Sequence, residues 1–412
     1  MSVREFFKVS NLESVLEHLR YFSQKESETI PLAESLGRII AEDIVSDIDI
    51  PNFHRSTVDG YAVQAKATFG ASSGTPALFH IIGEIDMGRP ASISVKPGEA
   101  VKIPTGGMLP EGADSVVMVE HTEPVDNQTI ELYKSAVPLQ HVIAIGEDFH
   151  KGECVLSRGQ PVRPQEMGLL AALGKCDVPV FKKPVVAIIS TGDEIIDICK
   201  APLPGQLRDM NAYTLTGLTC KSGGYPIYLG IAPDNFNVLF HMCEQALRQA
   251  DIVLVSGGSS IGMRDFTLKV ISDMPGSEIL VHGISISPGK PTIIARIEQK
   301  AFLGLPGHVT SAMIVFMKTV HPLIERMGGL AAKYRGKRRE TSALLSRNLA
   351  SVQGRTDFVR VNLVREGGHL VAYPILGQSG LIRTMVQADG FIEIDLNSEG
   401  LDKGSVVRVE LF

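Results

Sequence analysis

The sequence of 412 residues contains no apolar run that approaches the roughly 20 residues needed for a membrane-spanning helix. The N-terminal segment MSVREFFKVSNLESV also lacks the basic-then-apolar layout of a secretory signal peptide. We therefore expect a soluble protein of the cytoplasm that has no membrane partner.

Cysteine is sparse and follows no recognisable pattern. The five cysteines form no CxxC pair and no Cys/His spacing typical of a metal site. Disulfides persist mainly in oxidising compartments, so an odd, scattered set in a long chain favours reduced structural thiols in a reducing compartment. The residues concerned are Cys154, Cys176, Cys199, Cys220 and Cys243.

The sequence also lacks an excess of charge of one sign. Its net charge is −6 at pH 7, and acidic and basic residues are interspersed along the chain. A surface for nucleic acid or for an anionic membrane would need a basic cluster, so neither is expected as the main partner. The basic stretch KYRGKRRE at 333–340 is interpreted as a solvated linker.

Apolar residues are abundant enough for several packed domains. They make up 44% of the chain, and at about 100 to 200 residues per domain the length predicts two to four domains. Apolar periodicity predicts helices at 12–22 and 165–174 and a shorter helical stretch at 32–44. Between 51 and 141, short β-type runs alternate with Gly/Pro turns, which predicts a mostly-β domain inserted into an element-poor one.

From residue 184 onwards, near-continuous apolar strands alternate with helices. This order predicts a parallel sheet covered on both faces. A long helix is expected from 309 to 324, with a kink at Pro322. Residues 341–412 return to short strands and predict a small β domain. The predicted fold class is therefore multidomain α/β and β, with a doubly wound, mostly parallel α/β domain.

Polar, Gly-rich loops follow the predicted strands. Ligands of open parallel sheets bind beyond the carboxyl ends of the strands. The loops are STGDE at 190–194, PDN at 233–235, SGGSS at 256–260, PGKP at 288–291 and GLPG at 304–307. Glycine lets the backbone approach phosphate oxygens, and Lys290 supplies a positive charge. The carboxylates of Glu194, Asp234 and Asp265 suit Mg²⁺ rather than zinc. The pattern predicts a phosphorylated substrate with a bridging metal.

Each loop also has a structural interpretation. A Gly-rich loop can be a tight turn, and an aspartate after a strand, such as Asp193 or Asp234, is often a helix cap. The P-loop pattern is absent. Residues 258–262 match GxSxG and follow a strand, so a serine hydrolase can be drawn with Asp265 or a later acidic residue and with His282 or His308. That remote alternative leaves the acidic loops and the β insert unexplained.

Taken together, the motifs resemble those of the MoeA/gephyrin E-domain family, the molybdopterin molybdenumtransferases. The resemblance covers nearly the whole chain, in family order. Beyond the strand-end loops, it rests on STVDGYAV at 56–63, IPTG at 103–106, LPEGAD at 109–114, GED at 146–148, RDMN at 208–211, GRTDF at 354–358 and QSG at 378–380.

The resemblance implies a fold and an activity. The implied domains are an elongated N-terminal dimerisation domain at 1–50 and 142–180, a β insert at 51–141, a MogA-like α/β domain at 181–330 and a β-barrel-like domain at 331–412. The implied reaction inserts molybdate into adenylylated molybdopterin and releases AMP in an Mg²⁺-dependent step. The implied assembly is a homodimer whose site is shared between subunits. A MogA-type adenylyltransferase and molybdoenzymes are candidate protein partners.

Roles follow from the resemblance residue by residue. Catalytic roles are expected for Asp59, Thr105, Asp148, Glu194, Asp265 and Lys290. Of these, Asp59 and Thr105 are expected to come from the partner subunit. Substrate contacts are expected from Thr191, Gly192, Asp193, Asp209, Asn211, Asp234, Ser256, Gly257, Gly258, Ser259, Pro306 and Gly307. Metal contacts are expected from Glu194, Asp234 and Asp265.

Two departures from the family pattern affect the site. Ser287 stands where the family usually has lysine, and His308-Val309 stands where it usually has Asn-Pro. One positive charge is therefore missing where an oxyanion is expected. Arg264 is a candidate for compensating it. A paralogue specialised for tungstate and a non-catalytic assembly scaffold stay open as alternatives.

Overall fold

A computed structural model describes residues 9–257, 261–335 and 339–412; for 261–265 it describes the backbone alone. The chain divides into two compact units. The first unit comprises residues up to Glu42, Arg158–Pro164 and Asp177–Phe412, and the second comprises Asp43–Ser157 and Gln165–Cys176. The four-domain division stays a prediction.

A six-stranded sheet forms the centre of the first unit. In order across the sheet, its strands are Tyr225–Ala232, Val185–Thr191, Ile252–Ser256, Lys300–Leu305, Ile293–Ile297 and Ser277–His282. The first four are parallel, and the last two are antiparallel to their neighbours. The prediction of a mostly parallel sheet is confirmed, although the edge strand Ser277–His282 was not expected.

Helices cover both faces of this sheet. They are Asn211–Lys221, Phe236–Gln249, Ile261–Asp273, Val309–Val315 and His321–Met327. Successive residues of a strand point to opposite faces. Ile188 therefore packs with Leu215 on one face, and Ile189 packs with Leu239 on the other. The doubly wound architecture is confirmed.

The last two of these helices form one segment, as predicted, but its irregularity lies before Pro322. A π-helical turn, Phe316–Val320, joins Val309–Val315 to His321–Met327. Pro322 has no N–H to donate to the preceding turn, which favours a local change of hydrogen-bond pattern there.

The C-terminal part of the first unit is a closed five-stranded barrel. Its strands are Glu340–Leu345, Thr356–Glu366, His369–Pro374, Gly390–Ile394 and Val406–Leu411. The barrel closes because Thr356–Glu366 pairs with both His369–Pro374 and Gly390–Ile394. A short strand that precedes Ile293–Ile297 in the chain, Ile286–Ser287, is added in parallel to Thr356–Asp357. The β-barrel-like prediction is confirmed.

A buried lysine joins the barrel to the helical layer. Lys318 lies in the π-helical turn, and its Nζ is 2.8 Å from Glu410 and 3.3 Å from Glu393. The same nitrogen lies 4.8 Å from the ring centroid of Phe358 and 4.7 Å from that of Phe391. Both rings belong to the core cluster beneath this face of the sheet. The barrel and the sheet therefore share one hydrophobic core.

The N-terminal segment confirms one predicted helix and contradicts another. Leu12–His18 is helical and is capped by Asn11, whose Oδ1 accepts the N–H of Ser14 at 2.8 Å. The helical stretch predicted at 32–44 is wrong, because only a 3₁₀ turn forms at Leu32–Glu34. The residues after it extend to pair with distant backbone, so long-range pairing overrides the local apolar periodicity.

The second unit is mostly β, as predicted. Its six-stranded sheet runs, in order, Ser115–Met118, Gly60–Val63, Glu99–Ile103, Ala77–Glu84, Thr129–Leu132 and Thr122–Pro124. Val101 and Ile103 pack on one face of the sheet and Ile130 on the other. The predicted helix at 165–174 is present as Pro164–Ala172. Over the described parts of the chain, no helix combines the length and apolar character needed to cross a membrane.

Candidate active site

Two acidic loops lie side by side at the carboxyl edge of the sheet. Register places Thr191 beside Ala232, so the loops that follow are neighbours. Asp193 Oδ1 accepts the backbone N–H of Asp234 at 3.0 Å. The carboxylate of Glu194 folds over Gly192, where an added Cβ would lie 2.5 Å from Oε2. Gly192 has φ +138°, a backbone conformation that favours glycine, and three predicted site carboxylates are brought together.

These carboxylates form an anionic group. Burial raises the pKa of Asp234, and the charges of Asp193 and Glu194 raise it further. In the described ranges, no lysine or arginine pairs with any of the three. Neither do three acidic, histidine or cysteine side chains converge closely enough there to hold a metal ion. The side chain of Asp265 lies outside the described residues, and Mg²⁺ commonly uses one or two carboxylates plus substrate oxygens.

Replacing Asp193 by asparagine is expected to lower the pKa of Asp234. The substitution removes one like charge while keeping an oxygen that can accept the Asp234 N–H. Side-chain carboxyl NMR titration of Asp234 would measure the shift. Asp197→Asn is the matched control, since Asp197 does not contribute to the raised pKa of Asp234. An unchanged titration in Asp193→Asn would contradict the grouping of these carboxylates.

A second group of loops is held by Asn211. Its side-chain amide donates to Ser256 Oγ at 2.6 Å and to the carbonyl of Gly307 at 2.8 Å. Gly257 has φ +150°, and an added Cβ would lie 2.2 Å from Thr191 Oγ1. The strand ends are therefore in close contact. Gly258, Ser259 and Ser260 lie outside the described residues.

Four side-chain oxygens around these loops, at strand ends and helix starts, are buried without a hydrogen-bond partner among the described residues. They are the side-chain oxygens Ser190 Oγ, Thr191 Oγ1, Asn211 Oδ1 and Thr310 Oγ1. Buried polar atoms are normally hydrogen-bonded, so a cluster of exceptions is consistent with contacts to a ligand or water. Asp209 differs, because its oxygens already accept the Ala212 N–H at 3.0 Å and the Tyr228 hydroxyl at 2.9 Å. Asp209 thus stabilises the first turn of the helix Asn211–Lys221.

A cavity of about 690 Å³ opens between the sheet loops and the barrel. Its lining residues are Val9, Ser285–Pro291, Pro306, His308, Ser311, Val352–Arg355 and Ser379. None of these described residues is acidic, and three carry nitrogen groups that can be positively charged: Lys290, His308 and Arg355. Arg355 Nε is 3.0 Å from Asp357. The cavity, which we call the anion cavity, has the chemistry of a site for an anion.

The anion cavity contains only part of the expected site. The side chain of Lys290 is exposed in it, and its ammonium has no hydrogen-bond or ion-pair partner within the described ranges, although its backbone carbonyl accepts the N–H groups of Ile284 and Thr292. Thr191, Glu194 and Asp234 do not line it. Arg355 and Ser379 do, although sequence reasoning assigned them no role. Their only sequence indication was membership of the GRTDF and QSG motifs.

In the second unit, Asp59 and Thr105 are in direct contact. The backbone N–H and the hydroxyl of Thr105 donate to Asp59 Oδ1 at 2.7 and 2.9 Å. These two bonds stabilise the carboxylate and lower the pKa of Asp59. Asp148 belongs to the same unit, and its side chain is exposed. The structure therefore joins two of the three predicted residues of this unit.

Thr105→Val is expected to raise the pKa of Asp59 part of the way towards its ordinary value. The valine removes the hydroxyl donor but keeps the backbone N–H, which is the larger cause of the lowered pKa. Carboxyl NMR titration of Asp59 would show the change, and Thr75→Val, which alters an exposed threonine paired with Ser72 in the same unit, should leave it unaffected. A lowered or constant pKa in Thr105→Val would refute the assignment.

Comparison with known families covers most of the chain. The model for the MoeA N-terminal region (domain I and II) matches residues 2–174. The model for a probable molybdopterin binding domain matches 187–326. The model for the MoeA C-terminal region (domain IV) matches 342–412. The three matches follow one another in the order of the full chain.

Individual relatives agree with these matches. The molybdopterin molybdenumtransferase of Bacillus subtilis is 32% identical over 409 residues, which is 97% of this chain and 93% of the relative. The Haemophilus influenzae enzyme of that name is 34% identical over 400 residues, covering 97% and 96%. A crystal structure of a Pyrococcus horikoshii MoeA protein is 40% identical, with a TM-score of 0.82, and covers 98% of this chain and 99% of that chain. A second structure from that organism is 31% identical, with a TM-score of 0.85, and covers 98% and 100%.

Proposed function

Since the chain belongs to the MoeA family, we propose that it inserts molybdate into adenylylated molybdopterin and releases AMP. The observation that carries this proposal is the anion cavity, whose described lining contains no acid and in which the Lys290 ammonium has no partner among the described residues, at the same sheet edge as the acidic loops. A substrate with a pyrophosphate link and an incoming oxyanion requires both anion-binding and cation-binding groups. The edge of this one sheet offers both.

The mechanism follows from charge. Cleavage of a phosphoanhydride depends on positioning and on neutralising the negative charge that develops. Lys290 and Arg355 neutralise charge on the anion in the cavity. Asn211 holds Ser256 and the Gly307 carbonyl, which keeps the strand-end loops close, and the absence of a side chain at Gly257 lets a phosphate oxygen approach its backbone. Glu194 and Asp234, with Asp265, would hold Mg²⁺, which when bound supplies Lewis-acid stabilisation of phosphate oxygens.

We also propose the assembly that the family resemblance implies. Two copies of the chain form a homodimer, and Asp59, Thr105 and Asp148 act in a site shared between subunits. The Asp59–Thr105 contact supports this. Its two hydrogen bonds hold the Asp59 carboxylate in place and lower its pKa, so an ionised carboxylate is available to contact a ligand. A MogA-type adenylyltransferase and molybdoenzymes are the proposed partners. The proposed location is the cytoplasm.

Release of AMP is the direct test. Purified protein is incubated with adenylylated molybdopterin and Mg²⁺, with molybdate, with tungstate or with neither. We expect AMP only when an oxyanion is present, and the more effective oxyanion identifies the natural substrate. Binding of the pterin nucleotide with no AMP under any condition would reject the transferase and favour the assembly scaffold.

The serine hydrolase alternative has its own test. A fluorophosphonate probe labels a serine nucleophile stoichiometrically. We expect no labelling of Ser260, because a hydrolase leaves the paired acidic loops and the β insert without a role. Stoichiometric labelling that is lost in Ser260→Ala would revive the hydrolase.

A further inference from the structure

The two permanently charged side chains that line the anion cavity, Lys290 and Arg355, differ in how much of their charge is free for an anion. The Lys290 ammonium pairs with no described residue. The Arg355 guanidinium, in contrast, shares its charge with Asp357, with Nε–Oδ1 at 3.0 Å. Ser287 lines the same cavity and contributes only a neutral hydroxyl. For a doubly charged oxyanion, the described lining therefore offers one full charge and one shared charge. A further donor is needed to match such an anion.

His308 is in place to be that donor. It follows the strand Lys300–Leu305, lines the cavity and is exposed. Its Nδ1 lies 2.7 Å from Ser379 Oγ. The carbonyl of Ser379 in turn accepts the backbone N–H of Thr310 at 3.0 Å. The first contact orients the imidazole ring, and the backbone bond fixes Ser379 beside the loop that carries His308.

The serine partner leaves His308 a free donor in both protonation states. A hydroxyl can donate or accept. When the imidazole is neutral, Ser379 can donate to Nδ1, and the ring proton is then on Nε2. When the imidazole is protonated, Nδ1 donates to Ser379, and Nε2 still carries a proton. In either state one N–H remains available for an anion.

We propose that His308 is an oxyanion-contacting residue of the anion cavity, oriented by Ser379, and that it offsets the absence of a cation at Ser287. This inference rests on the proposed function, because it takes the cavity as the place where a tetrahedral metal oxyanion binds. The imidazole donates its free N–H to an oxygen of that anion. The ring thereby determines how tightly the oxyanion is held before it is transferred.

The test compares two substitutions at position 308 in the full chain. His308→Gln keeps an N–H donor and a carbonyl that can bond Ser379, whereas His308→Leu keeps neither. Isothermal titration with molybdate, tungstate and sulfate gives dissociation constants independently of catalysis. His241→Leu is the matched control, because His241 is an exposed histidine of the helix Phe236–Gln249 that pairs with Glu244. Equal unfolding temperatures show that the variants are folded.

We expect His308→Leu to weaken binding of molybdate or tungstate about 10- to 100-fold, the effect of losing one hydrogen bond to a charged group. His308→Gln should stay within about 3-fold of the unsubstituted protein, on the same reasoning that a donor is retained. The KM for the oxyanion should follow these constants, while kcat at saturating oxyanion changes little. His241→Leu should match the unsubstituted protein.

Two outcomes would overturn the inference. One is oxyanion binding in His308→Leu equal to that of the unsubstituted protein. The other is equal weakening by Gln and Leu, which would show that a retained donor does not help. If AMP is released normally while position 308 has no effect, the inference fails and the proposed function stands. If binding depends on His308 but no AMP is released, the proposed function fails and the oxyanion contact stands.

Discussion

Lys290→Ala is expected to lower the rate of AMP release by about 100- to 1000-fold, as removal of a single preorganised charge-stabilising donor does in other enzymes. The side chain is exposed in the anion cavity, and none of the described residues shares its charge. Its positive charge is therefore wholly available to the reacting anion. The fold should be unaffected, because the exposed lysine side chain makes no hydrogen bond or ion pair with any described residue.

Steady-state AMP release and oxyanion titration of the variant would test this expectation. Lys403→Ala is the control, since Lys403 is an exposed lysine of the barrel that does not line the anion cavity. Lys290→Arg should keep part of the activity, because the charge remains but its position changes. If Lys290→Ala retained the activity of Lys403→Ala, Lys290 would have no part in the reaction.

Lys318→Ala is expected to lower the free energy of unfolding by about 3 kcal/mol, at the lower end of the range for breaking a buried ion pair. Glu410 is only 14% exposed and would lose its 2.8 Å contact with the Lys318 ammonium, while Glu393 is 52% exposed and can be solvated. The substitution also removes the cationic contact with the rings of Phe358 and Phe391. Urea unfolding followed by circular dichroism would measure the loss.

A double substitution separates charge from packing. Lys318→Met combined with Glu410→Gln removes the charges together and keeps most of the volume, so it should recover much of the lost stability. Lys102→Ala removes one partner of an exposed pair with Glu84 and should cost less than about 1 kcal/mol. Equal losses in Lys318→Ala and Lys102→Ala would contradict a special role for the buried lysine.

The sheet was predictable because its central strands are buried on both faces. Val185–Thr191 and Ile252–Ser256 are almost continuous apolar runs, and such runs have few alternative structures. The edge strand Ser277–His282 is half-exposed and mixes polar with apolar residues, so its pattern was ambiguous. The stretch at 32–44 has helical periodicity, yet backbone pairing with residues more than a hundred positions away keeps it extended.

The candidate site was predictable only in part. The topology of parallel strands brings the loops of Glu194 and Asp234 to one edge, and this neighbourhood follows from strand order alone. The contact between His308 and Ser379 joins residues 71 positions apart in two differently folded regions. No local pattern encodes such a contact, because it arises from docking of the barrel onto the sheet. The Asp59–Thr105 bond, across 46 positions, was accessible only through resemblance to a family.

The pairing of Ile286–Ser287 with Thr356–Asp357 has a consequence for the chain as it is being made. Synthesis proceeds from the N-terminus, and regions fold as they emerge. A nascent chain that has reached about residue 335 contains the whole sheet and Lys290, but neither Arg355 nor Ser379. Its cavity then has one wall only. Because a ligand stabilises the state that binds it, the proposed oxyanion would stabilise chains whose barrel is complete more than chains that end before it.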